Sequence, residues 1–239
     1  RFANISLDLM FGLPGQSLTD WEENLRQAIA LEPDHLSLYS LILEPGTQLF
    51  DDVRAGRIQP ASDDLSADMF ELAVDSLADS GFGHYEISNW ARSNAFEAQH
   101  NKVYWENEPY LGVGAGAHSC LNKLRVANVA SVEGYIQRMS RLKPEGSEAY
   151  PAADETIRLD EYTMQQETMM LGLRLTREGV SAPAFKLRYG VTIQEVFPRE
   201  LERIIARKLA EWRNFPDGPH LVLTRGGVLL GNQVFQEFV

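Results

Sequence analysis

The residues of this chain best equipped for chemistry are His100-Asn101-Lys102-Val103-Tyr104-Trp105, followed by Tyr110-Leu111-Gly112-Val113-Gly114-Ala115-Gly116-Ala117-His118-Ser119. Imidazole nitrogen and tyrosine phenolate are both axial ligands of haem iron, and aromatic rings pack well against a flat macrocycle. If the first run is helical, its i, i+4 spacing places His100 and Tyr104 on one face. The pattern suggests a haem or porphyrin site. Read as structure only, the same residues describe an aromatic loop that packs a barrel end, with His100 merely hydrogen-bonded. His118 could face the same cavity or simply bond backbone in the glycine turn. The glycines at 112, 114 and 116 do not form a dinucleotide fingerprint, because the third is misplaced and no strand-turn-helix unit surrounds them.

The elements that must position these residues begin with Ile5-Ser6-Leu7-Asp8-Leu9-Met10-Phe11, which alternates strictly. Ile5, Leu7, Leu9 and Phe11 share an apolar face, leaving Ser6, Asp8 and Met10 on a face that can hold a ligand. Gly12-Leu13-Pro14-Gly15 breaks the strand, and Thr19-Asp20-Trp21-Glu22 reads as the capping box of a helix with Trp21, Leu25, Ala28 and Ile29 at helical spacing. A second strand over 36–43 completes a strand-helix-strand unit, the signature of a parallel crossover. After a turn-rich excursion, Leu65, Met69, Leu72, Ala73, Val74 and Leu77 give a helix with Gly81 at its C-cap. Residues 84–88 read as a strand, and 91–110, lacking any period, as a long loop of the kind that carries function.

Residues 122–153 read as a bridge with a short helix near 132–142 and the turn Lys143-Pro144-Glu145-Gly146-Ser147. Beyond it come helices over 160–173, 182–189 and 198–212, the last carrying Leu201, Ile204, Ile205, Leu209 and Trp212. Residues 221–224 and 228–230 flank Arg225-Gly226-Gly227, a hairpin signal. Three helices and a hairpin suggest a winged-helix-like module. Such modules often bind DNA, but the lack of a basic recognition helix favours a docking or lid role here.

Composition narrows the function classes. The net charge is −12, and the whole acidic excess sits in residues 1–154, where 11 Lys and Arg face 23 Asp and Glu; residues 155–239 carry 11 of each. Nucleic-acid binding is disfavoured, because neutralising phosphates needs a cationic surplus on one face. No apolar run is long enough to cross a bilayer and no charged-then-apolar signal opens the chain, so a cytoplasmic location is expected. The single cysteine, Cys120, excludes an internal disulfide and any four-cysteine cluster built by this chain alone. The chain enters a strand-like run within four residues of Arg1, which suggests a cut edge whose neighbours lie elsewhere. His35 and His84 flank strands and are expected to be structural; His220 has no evident role.

Taken together, Asp8-Leu9-Met10-Phe11-Gly12-Leu13-Pro14-Gly15-Gln16, Glu44-Pro45-Gly46-Thr47, Tyr85-Glu86-Ile87-Ser88-Asn89, the His-Asn-x-x-Tyr run and the Gly-x-Gly-Ala-x-His-Ser run resemble one family in motif order over essentially the whole chain. It is the HemW-type haem chaperone family, related to oxygen-independent coproporphyrinogen III oxidase. The resemblance implies an α/β fold: later strands of a partial radical-SAM parallel barrel, followed by a small winged-helix-like C-terminal domain. It implies barrel and HNxxY loop over 1–121, a bridging segment over 122–153 and the C-terminal domain over 154–239. The family's Cys-x3-Cys-x2-Cys cluster motif is absent, so this chain reads as a C-terminal fragment holding no [4Fe-4S] cluster and performing no radical cleavage by itself.

Residue by residue, the resemblance places Asp8 at a barrel-strand end in contact with S-adenosylmethionine; the alternative is a carboxylate satisfied by loop amides. Ile42 and Gly116 lie about where family members contact the nucleoside. His100, Asn101 and Tyr104 match the motif associated with haem, with His100 as the iron ligand. The resemblance thus implies a parent protein that binds haem and transfers it to haem-accepting proteins, with cluster and S-adenosylmethionine in support, and it leaves a homodimer open. The competing expectation is an enzyme, a radical SAM coproporphyrinogen III oxidase that decarboxylates propionates and has no need of an iron ligand at His100.

Overall fold

The computed structural model describes residues 2–141 and 150–239; the turn expected at 143–147 and the end of the helix expected at 132–142 lie outside the described residues. The chain starts as expected. Strand β1 (Ser6–Phe11) leads through helix α1 (Leu18–Ala30) to strand β2 (His35–Ser40), which pairs parallel with β1. The capping box expected at Thr19 and Glu22 lies two residues earlier: Ser17 caps α1 reciprocally with Asp20, which satisfies two orphan donors of the first turn, and Thr19 falls inside the helix. Strand β2 is shorter than the 36–43 expected. The ladder runs out because β1 ends at Gly12, whose φ is +73°, and after Leu41 N donates to Phe11 O the strand has no partner left.

Helices α2 (Gln48–Arg54) and α3 (Asp63–Asp79) follow, then strands β3 (Gly83–Glu86) and β4 (Asn89–Ala91). The first sheet has the order β1-β2-β4-β3. Only β1 and β2 are parallel in it; β4 runs antiparallel to both β2 and β3. Its inner face carries the row Leu7, Leu36, Trp90 and His84. Leu36 and Trp90 pack there with Trp21, Leu25, Met69 and Leu77 from α1 and α3. Ile5, expected on this face, stays exposed at the sheet end.

The span 91–110, expected to be a loop, contains helix α4 (Gln99–Trp105). Helical periodicity is invisible there because α4 has no fully buried residue. Strands β5 (His118–Leu121), β6 (Leu124–Asn128) and β7 (Ala153–Arg158) form a three-stranded antiparallel sheet, with helix α5 (Val132–Ser140) between the last two. The bridge over 122–153 is thus sheet as well as helix.

The last part is built on helix α6 (Glu161–Gly172), strand β8 (Val180–Ser181) and helices α7 (Ala182–Tyr189), α8 (Ile193–Val196) and α9 (Pro198–Ala206). Two expectations fail here. The helix expected over 198–212 ends at Ala206, because Lys208 adopts φ +57°; Leu209 and Trp212 then belong to the approach and body of strand β9 (Ala210–Phe215). The hairpin is not at Arg225-Gly226-Gly227. It joins β9 to strand β10 (Gly218–Leu223) through the two-residue loop Pro216-Asp217, with Gly218 at φ +130° opening the second strand. Arg225-Gly226-Gly227 instead opens helix α10 (Arg225–Leu229), whose Gly227 N is capped by Thr224 Oγ1 at 3.0 Å. Helix α11 (Gly231–Phe235) closes a second core around Met169, Leu173, Phe185, Phe197 and Ile204.

Candidate functional site

The outer face of the first sheet is polar where a covered sheet would be apolar. Register aligns Ser6 with His35, and Asp8 with Ser37, Asn89 and Glu86 in one row across four strands. Cross-strand partners share a face; Asp8 is exposed at the β1 edge of the row, while Ser37, Asn89 and Glu86 beside it are buried. The Asp8 carboxylate has no hydrogen-bond partner among the described residues. Glu86 is buried, and burial pushes its carboxyl pKa up against the pull of Asn89, which donates to it from Nδ2.

Sequence reasoning missed the rest of this face. His35, expected to be structural, is buried with Nδ1 2.8 Å from Ser6 Oγ and Nε2 2.8 Å from the Tyr85 hydroxyl. Burial lowers its pKa, opposed by the nearby Asp8 charge. Tyr85 is the extra residue of a bulge between His84 and Glu86, a device that re-aims side chains. Burial pushes the Tyr85 phenol up to about 12, so it stays a neutral donor. The available signal was positional: polar residues at alternate places in β2 mirror those of β1.

Helix α4 lies on the same side of the sheet, at its β3 edge. His100 is exposed, and its ring meets Tyr104 edge-on with centroids 4.9 Å apart; Tyr104 meets Tyr110 at 4.8 Å. The His100 ring has no hydrogen-bond partner among the described residues. Asn101 donates from its backbone to Ala98 O and its side chain bonds nothing described. Lys102, which the sequence did not single out, joins Arg177 in pairing the buried Glu97 carboxylate, its Nζ at 3.0 Å. A cleft of about 580 Å³ opens beside the end of α4, between Trp105 and the α7 side chains Phe185, Leu187 and Arg188.

Asp8 on β1 and the β3 edge from which Tyr85 reaches α4 are three inter-strand spacings, roughly 14 Å, apart. Ile42 is 73% exposed beyond β2, and Gly116 donates its amide to Val129 O in the turn before β5. Neither shares a hydrogen bond or ring contact with Asp8 or His100 among the described residues. Gly112 has another reason to be glycine: a Cβ there would collide with the His118 carbonyl. His118 itself is exposed on β5. His84 stacks on Trp90 at 4.1 Å, and His220 bonds Glu178 O and Asp217; both are structural.

Residues 159–230 match the HemN C-terminal domain family. Over 238 residues, all of this chain, the sequence is 37% identical to the heme chaperone HemW of Bacillus subtilis, covering 59% of that protein. Over its whole length the chain is similar to HemW heme chaperones. The Lactococcus lactis HemW is 33% identical over the same span and share, and the mitochondrial radical S-adenosyl methionine domain-containing protein 1 of Danio rerio is 36% identical over 202 residues, 81% of this chain and 44% of the fish protein. The chain thus spans about three-fifths of the length of its HemW relatives. Among solved structures, the coproporphyrinogen III oxidase HemN of Escherichia coli superposes with a TM-score of 0.73 at 18% identity, over 99% of this chain and 55% of that one, which establishes the shared mixed α/β fold.

The HemW family implies three groups, and this chain suits them unequally. A [4Fe-4S] cluster needs several thiolates; the chain has one cysteine, half-buried on β5 with its backbone bonded to Tyr110, so its residues do not fit a cluster. S-adenosylmethionine, a sulfonium with an amino-acid head, fits an exposed and unpaired Asp8 on a polar face. Haem, the cargo, fits an exposed imidazole among aromatic rings.

Proposed function

We propose that the protein containing this chain is a haem chaperone, which binds haem on helix α4 and passes it to acceptor proteins. The observation that carries the reading is His100 itself, an exposed imidazole with no hydrogen-bond partner among the described residues, set edge-on to Tyr104 on a surface helix. A core histidine would have its nitrogens occupied, as His35 and His220 do. His100 supplies the axial nitrogen, Tyr104 and Tyr110 flank the macrocycle, and Asn101 orients the segment. The cleft beside Trp105 offers an apolar wall close by. An exposed site suits transfer, since cargo held at the surface can be handed over without unfolding its carrier.

In the same reading Asp8 holds the amino-acid head of S-adenosylmethionine through charge-assisted hydrogen bonds, and Ile42 and the Gly116 backbone contact its nucleoside. Bound there, the group supplies its sulfonium chemistry beside a cluster ligated outside this chain. The first sheet is taken as the later part of an incomplete barrel over 1–121 and the part from 154 as a winged-helix-like module. Within the bridge over 122–153, strand β6 pairs with β5 before it and β7 after it. A cytoplasmic protein without nucleic-acid partners completes the proposal. None of the described helices is long and apolar enough to cross a membrane.

The test is a haem titration of the full-length protein carrying His100→Ala or Tyr104→Phe. Axial identity controls iron spin state, so the Soret band should shift and affinity fall with His100→Ala. Wild-type spectra and affinity in both variants would sink the ligand assignment. The similarity to HemN favours a second reading, an oxidative decarboxylase of coproporphyrinogen III, and turnover of that porphyrinogen by the full-length protein would support it.

A further inference from the structure

Helix α4 does not hold itself in place. It has seven residues and no fully buried one, and its N-cap is Ala98, which has no capping side chain. An isolated helix of this length is not stable in water. Its entry is fastened instead from another element: Ala98 N donates to the Tyr85 hydroxyl at 3.0 Å.

That hydroxyl has two jobs. Tyr85 is only 2% exposed, so its own proton needs an acceptor inside the protein, and the group in range is His35 Nε2 at 2.8 Å. With Nε2 accepting, the neutral ring carries its proton on Nδ1 and donates it to Ser6 Oγ at 2.8 Å. One continuous chain of hydrogen bonds therefore runs from Ser6, two residues before Asp8, through His35 and Tyr85 to the start of α4. The bulge is what makes it reach. The extra residue between His84 and Glu86 turns Tyr85 towards the polar side, where Glu86 also lies.

We propose that Tyr85 is a positioning residue for His100: its hydroxyl ties the N-terminus of α4 to His35 on the polar sheet face and so sets where the imidazole stands. The inference rests on the reading of His100 as haem ligand, and the two are separable by experiment. In the full-length protein Tyr85→Phe keeps the ring and removes the hydroxyl; Tyr162→Phe, an exposed tyrosine of α6 whose hydroxyl bonds nothing described, is the control. Hydrogen exchange of amides 98–106 without haem should be about tenfold faster in Tyr85→Phe, the effect of losing one hydrogen bond, and unchanged in Tyr162→Phe. On adding haem, the Tyr85→Phe spectrum should move towards that of His100→Ala, with several-fold weaker binding. Should Tyr85→Phe fail to fold, Ala98→Pro removes the donor alone. The Ala98 φ of −69° already suits proline, and the same spectral shift is expected.

Unchanged exchange in α4 overturns the proposal whatever haem does. Faster exchange with a wild-type haem spectrum, while His100→Ala does alter it, also overturns it, because the helix would then be fastened without the ligand being positioned. If His100→Ala leaves the spectrum untouched, the ligand reading itself has failed and the positioning role falls with it. A wild-type spectrum in a folded Ala98→Pro protein counts against the proposal in the same way.

Discussion

Helices α1 and α4 are held by opposite means. α1 carries its own instructions: a capping box at Ser17 and Asp20, three buried residues at helical spacing, and a Trp21 indole that donates to Met69 O at 2.8 Å. α4 carries almost none, and is held by Tyr85 at its entry, by the Glu97 pairs with Lys102 and Arg177, and by Arg188 and Asn107 at its exit. The scaffold is specified locally and the candidate site from a distance. A helix relieved of core duty can present His100 and Tyr104 to a ligand, but polar contacts from elsewhere must then fix its pose.

The widest test of that contrast is truncation. Trp21→Ala should lower stability by about 3–5 kcal/mol, the range for emptying a buried aromatic site, whereas His100→Ala should cost no more than about 0.5 kcal/mol, as exposed substitutions do. Urea denaturation of the pair would break the comparison if the two losses were alike.

Acid probes the same divide. Burial, against the pull of two backbone contacts, holds His84 down to about 4, below its unfolded value of about 6.5. The unfolded chain therefore takes the proton first. This contribution is complete above about pH 6.5 and declines as pH falls towards 4, by up to about 3 kcal/mol. His84→Gln should flatten that part of the stability profile, and an unaltered slope would show that the scaffold does not depend on a neutral ring against Trp90.

The smallest effect sharpens the account of caps. Ser17→Ala should cost about 1 kcal/mol by removing a side-chain cap, with the melting temperature as readout. No shift would mean that α1, like α4, is held from outside.

What was legible in the chain follows the same line. Alternation in 5–11, the apolar stripe of α1 and the crossover to β2 emerged from local pattern, and the helix expected at 182–189 formed over that span, capped by Ser181 and ended by a left-handed Gly190. The errors fall where a partner decided. Leu209 and Trp212 fit a helical stripe, but a left-handed Lys208 and a waiting β10 drew them into a strand. Arg225-Gly226-Gly227 looked like a turn, yet Thr224 could cap a helix there while Pro216-Asp217 made the hairpin.

The sequence by itself determined the resemblance to HemW-type proteins, the side-chain alternation that aims Asp8 outward, and the i, i+4 spacing of His100 and Tyr104, because these depend only on residue type and on periods of two and 3.6 along one segment. Only the tertiary structure decided that His35 belongs to the polar face, that Tyr85 turns to meet it, and that α4 is a helix. Those outcomes depend on strand register, a bulge and hydrogen bonds spanning 13 to 50 residues of chain, and no local pattern encodes which distant group will supply a missing partner.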